Sequence, residues 1–242
     1  MKVGRTLIAL MLYVASLVVL TAVAAAHSHG RTPTAVVVFA EFGLVAAFVA
    51  FVGGLHDPRK MGVGRFLVRL LLLCAGAALA GGAVLAVASA AGVATALAGG
   101  LAAQLVVFSF ALLMGMIFAF VRCWGAELLL AQLVCLFVAC VLVGTVFYAD
   151  PIIEAQKTPE ARSRVITVAL ALNPITAVSR SLLGVDLLRR PVMYDRISVI
   201  GRWYQTPYGT WWKTACGYLA ASVVMMAGAA AARRPRSSAL ES

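Results

Sequence analysis

Acidic residues are scarce in this chain: 9 of its 242 residues are aspartate or glutamate, and charged residues of both signs make up 12%. An ordinary soluble domain carries roughly 25%, so a sizeable water-facing domain is excluded. The four lysines, at positions 2, 60, 157 and 213, all lie outside any G-x-x-x-x-G-K-[ST] phosphate loop, so any ATP-driven work needs a partner. With 3 histidines there is no H-E-x-x-H helix and no helical histidine pair for haem or a dinuclear metal, and a G-x-S-x-G elbow is missing too. Asp150, Glu154 and Glu160 read as solvated loop charges. The expectation is therefore a chain that is not an enzyme and has no cofactor of its own. Cys74, Cys123, Cys135, Cys140 and Cys216 include no C-x-x-C pair and lie within or at the ends of apolar runs, where they read as small hydrophobes.

What is abundant is apolar sequence, 63% of the chain. It falls into six runs: Thr6 to Ala26, Ala35 to Leu55, about Leu67 to Ala90, Leu101 to Val121, Leu128 to Tyr148 and about Trp211 to Ala232. Each is near the length of about 20 residues that a helix needs to cross a hydrocarbon core of about 30 Å. These runs predict an all-α integral membrane protein, a single polytopic membrane domain over 1–242 with six transmembrane helices. The first run has a competing reading as a cleavable signal peptide, since Lys2 and Arg5 precede it and Ala24-Ala25-Ala26 ends it, but it is long for such a segment, and a retained span is the expectation. In the third run, Ala77/Gly81 and Ala78/Gly82 repeat at four-residue spacing, a pattern that lets helix backbones approach closely in lipid. Only Arg122 to Glu127 separates runs four and five, so these are antiparallel neighbours.

The net charge of +11 follows the ends of the runs rather than forming one patch, which argues for topology signals and against nucleic acid. Lys2, Arg5, Arg59, Lys60, Arg65, Arg69, Arg122, Arg233, Arg234 and Arg236 cluster on one side, whereas the short loops of the other side carry only Arg31. By the positive-inside rule both termini are expected in the cytoplasm, with the chain in the plasma (inner) membrane.

Between runs five and six, residues 149–212 are too polar and too interrupted for a span. Val165 to Leu172 would make about 12 Å of helix, and Asn173-Pro174 then breaks it, because proline lacks an N–H and biases its predecessor away from helix. Beyond the break, Ile175, Val178, Leu182 and Val185 recur on one face, predicting an amphipathic helix in one interface. The competing reading, one kinked span from Val165 to Leu188, would bury Arg180 at a cost of roughly 2.5 to 3.5 kcal/mol at the midplane.

Several residues are candidates for function. Glu41 lies about 10 Å inside the second run, where a carboxylate is costly and marks a site by default; the bland alternative is a hydrogen-bonded glutamate that stabilises packing. Gln104 and Gln132 join it as substrate-path candidates. His27 and His29 form an H-x-H pair that could hold a metal given a third ligand, or be two solvated loop histidines. Asp57, Arg59 and Lys60 sit in the compact basic loop HDPRKMGVGRF; the positive-inside rule alone explains their charge, while a short stiff loop also suits contact with a partner.

The helix plan, together with Ala171-Leu172-Asn173-Pro174-Ile175-Thr176-Ala177 and the following Trp211 and Trp212, resembles the transmembrane subunit of ABC-2 type exporters. Many members of that family carry an asparagine-proline pair in short broken helices between spans five and six and a tryptophan near the last span. The resemblance implies a permease subunit, homo- or heterodimeric in the bilayer, with ATP and Mg on a separate ATP-binding subunit; Asp57, Arg59 and Lys60 would then be coupling-loop candidates. The loop between runs two and three lacks the Glu-Arg pair followed by Gly-Thr that many members show. Two other readings are a non-transporting membrane scaffold or anchor of a larger complex, and a metal-handling protein using His27 and His29.

Overall fold

The computed structural model describes residues 2–27, 32–93, 96–185 and 210–233, and every regular element among them is helical. Six helices are long and apolar enough to cross a membrane: α1 (Lys2–His27), α2 (Thr32–Leu55), α4 (Val63–Ala90), α5 (Leu97–Cys123), α6 (Leu128–Tyr148) and α10 (Trp211–Ala232). Four short ones complete the set: α3 (Pro58–Met61), α7 (Asp150–Glu154), α8 (Pro159–Leu172) and α9 (Pro174–Ser179). In hydrocarbon no water can satisfy backbone N–H and C=O groups, so long apolar runs become helices, which satisfy them internally.

Helix α5 is the axis of the bundle. Nearly every residue from Ala103 to Ala119 is buried, because α2, α4, α6 and α10 all pack against it. Phe110 meets Phe42 of α2 edge-on with ring centroids 5.4 Å apart, and Tyr218 of α10 at 5.7 Å. Helix α1 lies on the outside, packed closely on α2 and more loosely on α4.

The end of the bundle where α1 begins, the proximal end, also holds the α2–α4 loop, the α5–α6 turn and the end of α10. There Asp57 caps the one-turn helix α3 by accepting from the Arg59 N–H, and Gly62, at φ 91, turns the chain from α3 into α4 in a left-handed conformation that glycine adopts without strain.

At the opposite, distal end the 149–185 segment departs from expectation in two respects. The helix before the break is longer, starting at Pro159 behind the Thr158 cap, yet at about 21 Å it remains too short to span. The amphipathic helix expected after the break forms only over its first part, as α9; this ends at Ser179 and the chain continues as turns through Leu183. Val178, Leu183 and Val185 do not face an interface but enter the main apolar core, with Ile175 and Leu182 packed against it. Gly184, at φ 65, follows those turns, and packing onto the bundle outweighs the helical spacing. Residues 186–209 lie outside the described residues, as does the rest of the proposed amphipathic stretch.

Candidate functional site

A buried polar cluster sits on Glu41, whose side chain is 0% exposed. Tyr13 of α1 donates its hydroxyl to Glu41 Oε1 at 2.7 Å, and Gln104 of α5 donates Nε2 to Oε2 at 2.7 Å. The fourth wall is Gly81 of α4: a Cβ there would collide with the Glu41 carboxylate and crowd the Gln104 carbonyl oxygen. Four spans thus converge on one carboxyl group, each supplying a donor, an acceptor or the lack of a side chain. Gln104 Oε1 is buried with no hydrogen-bond partner, as is Thr34 Oγ1. Among the described residues no cation pairs with Glu41, so its two hydrogen bonds carry the whole task of satisfying it. In an apolar interior an unsatisfied polar group costs about 1–3 kcal/mol or more, which makes the four residues interdependent.

Gln132, the third substrate-path candidate, is not part of this cluster. It donates to the Ala50 carbonyl at 3.2 Å, about 14 Å farther along α2. There it ties α6 to α2.

At the proximal end a second network joins the loop candidates to the α5–α6 turn. Arg122 Nη2 pairs with Asp57 Oδ2 at 2.6 Å, and Nη1 donates to the Ala126 carbonyl at 2.7 Å. Arg59 donates Nη2 to the same carbonyl at 2.6 Å and Nε to the carbonyl of Arg122. Two guanidinium groups thus converge on carbonyls at the C-terminal end of α5 and in the α5–α6 turn, where the helix dipole also favours positive charge. Arg233 of α10 donates to the Arg59 carbonyl at 3.1 Å. Burial by itself would raise the Asp57 carboxyl, but the hydrogen bonds and charges of Arg122 and Arg59 outweigh it and hold the group below the ordinary aspartate value. Lys60 is exposed.

Compared with protein-family models, curated proteins and solved structures, the chain matches none. Function must therefore be argued from the geometry.

At the distal break, Asn173 accepts from the N–H groups of Ile175 and Thr176 at 2.9 and 3.1 Å and donates Nδ2 to the Val143 carbonyl of α6 at 2.6 Å. The carbonyls that the break strands at the end of α8 are taken up by side chains: Thr176 donates to Leu170, Thr214 to Ala171 and Tyr218 to Leu172. A broken helix whose freed carbonyls are answered by neighbouring spans is tolerated beside lipid. Of the H-x-H pair, His27 is exposed at the end of α1, with Nδ1 on the Val23 carbonyl at 2.9 Å, and His29 lies outside the described residues. Among the described residues no three His, Cys, Asp or Glu side chains group around a common point.

The spacing of polar residues in the runs singled out Glu41 and Gln104 but not Tyr13, although the lone aromatic residue of the first run was a usable signal. Thr214 and Tyr218 were legible only as ordinary residues of the last span.

Proposed function

We propose that this chain is the membrane-spanning permease subunit of an ATP-driven exporter of the ABC-2 kind, dimeric in the plasma membrane, with both termini cytoplasmic and energy supplied by a separate ATP-binding subunit. The observation that carries the reading is the broken pair α8–α9, with Asn173 as hinge cap and its stranded carbonyls held by α10. A discontinuous helix held in protein is found where a membrane protein lines a path. The proximal network supports the reading mechanically. Arg59 binds the α2–α4 loop to the α5–α6 turn, so a push on exposed Lys60 from a cytoplasmic partner would be carried into α5, the axis of the bundle. The buried Glu41 cluster ties α1, α2 and α5 together, with α4 packed against it through Gly81, and is the candidate polar point along the path.

The test is to solubilise the intact protein from its native membrane in mild detergent, purify it by an affinity tag and identify what remains bound. A stoichiometric ATP-binding subunit whose hydrolysis depends on the permease is the expected result. Recovery of the chain alone, or of partners lacking a nucleotide site, would overturn the reading.

A further inference from the structure

Two hollows lie one after the other along the groove between α1 and α4. The proximal hollow, about 590 Å³, is walled by Leu7 and Leu10 of α1 and by Leu72 and Leu73 of α4, with Thr6, His56 and Arg69 at its polar end. The distal hollow, about 420 Å³, lies between Val14 and Val18 on one side and Ala80, Val84 and Val87 on the other. Gly76 stands between them along α4, and a Cβ there would have nothing within 4 Å. At 3.6 residues per turn Gly76 lies beside the stripe formed by Leu73, Ala80 and Val87, so no side chain at this position stands between the two hollows. The groove opens away from the bundle: Leu72 and Val87 are 70% and 71% exposed.

The chemistry of the groove changes along its length. The walls are hydrocarbon, whereas the proximal end is cationic. Arg69 Nη1 donates to His56 Nδ1 at 3.2 Å; since arginine can only donate, His56 carries its proton on Nε2, which lies 3.2 Å from Thr6 Oγ1. This chain of contacts holds the guanidinium at the edge of the groove, and among the described residues no carboxylate is paired with it. Arg65 stands one turn earlier on the same face of α4, exposed and, among the described residues, likewise without a paired carboxylate. One leaflet, about 15 Å deep, corresponds to about ten residues of helix, the distance from Arg69 past Gly76 to Ala80.

We propose that this groove holds an anionic phospholipid, its phosphate against Arg69 and Arg65 and one acyl chain laid over Gly76 between α1 and α4. The occupant follows from charge complementarity. A guanidinium is matched to a phosphate by its fork of donors, and two such groups with no paired carboxylate among the described residues favour a headgroup with net negative charge over a zwitterion that brings its own cation. The assignment does not depend on the exporter reading.

The test is native mass spectrometry and thermal unfolding of the intact detergent-solubilised protein, titrated with phosphatidylglycerol, with phosphatidylcholine of the same chains, and with inorganic phosphate. Phosphatidylglycerol should be retained about tenfold more tightly than phosphatidylcholine, the worth of one charge-assisted hydrogen bond, and should raise the melting midpoint. Arg69→Gln should abolish the preference and Arg69→Lys keep part of it. Gly76→Phe should block both lipids while leaving the lipid-free midpoint unchanged, because a Cβ at this position has no protein atom within 4 Å and the ring can extend into the open groove. Equal retention of the two lipids, the same midpoint shift from inorganic phosphate alone, or undiminished lipid binding by Gly76→Phe would each overturn the assignment. If Arg69→Gln does not insert, Arg69→Lys and Gly76→Phe still decide it.

Discussion

At the scale of single residues, Glu41 and Gly81 are tightly coupled. Gly81→Ala places a methyl group where the carboxylate of Glu41 stands, and overpacking of this kind costs about 1–3 kcal/mol. Glu41→Ala removes that obstacle but leaves Tyr13 and Gln104 without their shared acceptor. The double variant should therefore be more stable than the sum of the single losses implies, by about 0.5–3 kcal/mol. Thermal unfolding of the four proteins in one detergent measures this, and strict additivity would remove the close contact from the account. Asp57 makes a separate prediction. Its carboxyl is held below the ordinary value of about 3.9, so its contribution to stability is complete above that value and fades as pH falls through the lower folded-state value. Asp57→Asn should flatten the acid side of a melting-midpoint series while changing its neutral side in one constant step. An unaltered acid limb would show that the Arg122 pair contributes nothing there.

At the scale of elements, the broken pair α8–α9 depends on one amide. Asn173 both accepts from the first N–H groups of α9 and donates to α6, and no other side chain of its size does both. Asn173→Asp keeps the cap but sets a carboxylate oxygen against the Val143 carbonyl, while Asn173→Ala loses cap and tether together, a cap alone being worth about 1 kcal/mol. Hydrogen exchange should accelerate over 159–179 in both variants. In Asn173→Asp the change should extend to the α6 segment around Val143, and an α6 signal unaltered from the parent would sink the tether. The sequence made part of this element legible, because Asn-Pro is a local signal with a local cause. The segment after it was read as amphipathic helix from the spacing of Ile175, Val178, Leu182 and Val185, and that failed over 180–185. A period shows that residues share a face if a helix forms; it does not show that lipid, rather than the core, is the better place to bury them.

At the scale of the whole molecule, the six candidate spans return the chain to the end of the bundle at which it began. Cysteines placed at Lys60 and Lys157, after replacement of the five native ones, should react with an impermeant thiol reagent from opposite sides of the membrane. Labelling of both from one side would break the six-span plan. The number of those spans was determined by the sequence alone, and their limits only to within about a helical turn, since α4 starts at Val63 and not Leu67 and α5 at Leu97 and not Leu101. The reason needs no tertiary contact: in hydrocarbon a chain must satisfy its own backbone, and an apolar run of sufficient length has helix as its open solution. The partners of each polar group were decided only by the tertiary structure. Tyr13, Glu41, Gly81 and Gln104 belong to four different helices, and Arg59 reaches a turn more than sixty positions away. Helices that are apolar on every side carry no stripe to say which face turns inward, and in lipid the choice among faces falls to close packing and interhelical hydrogen bonds, which exist only once the helices stand together.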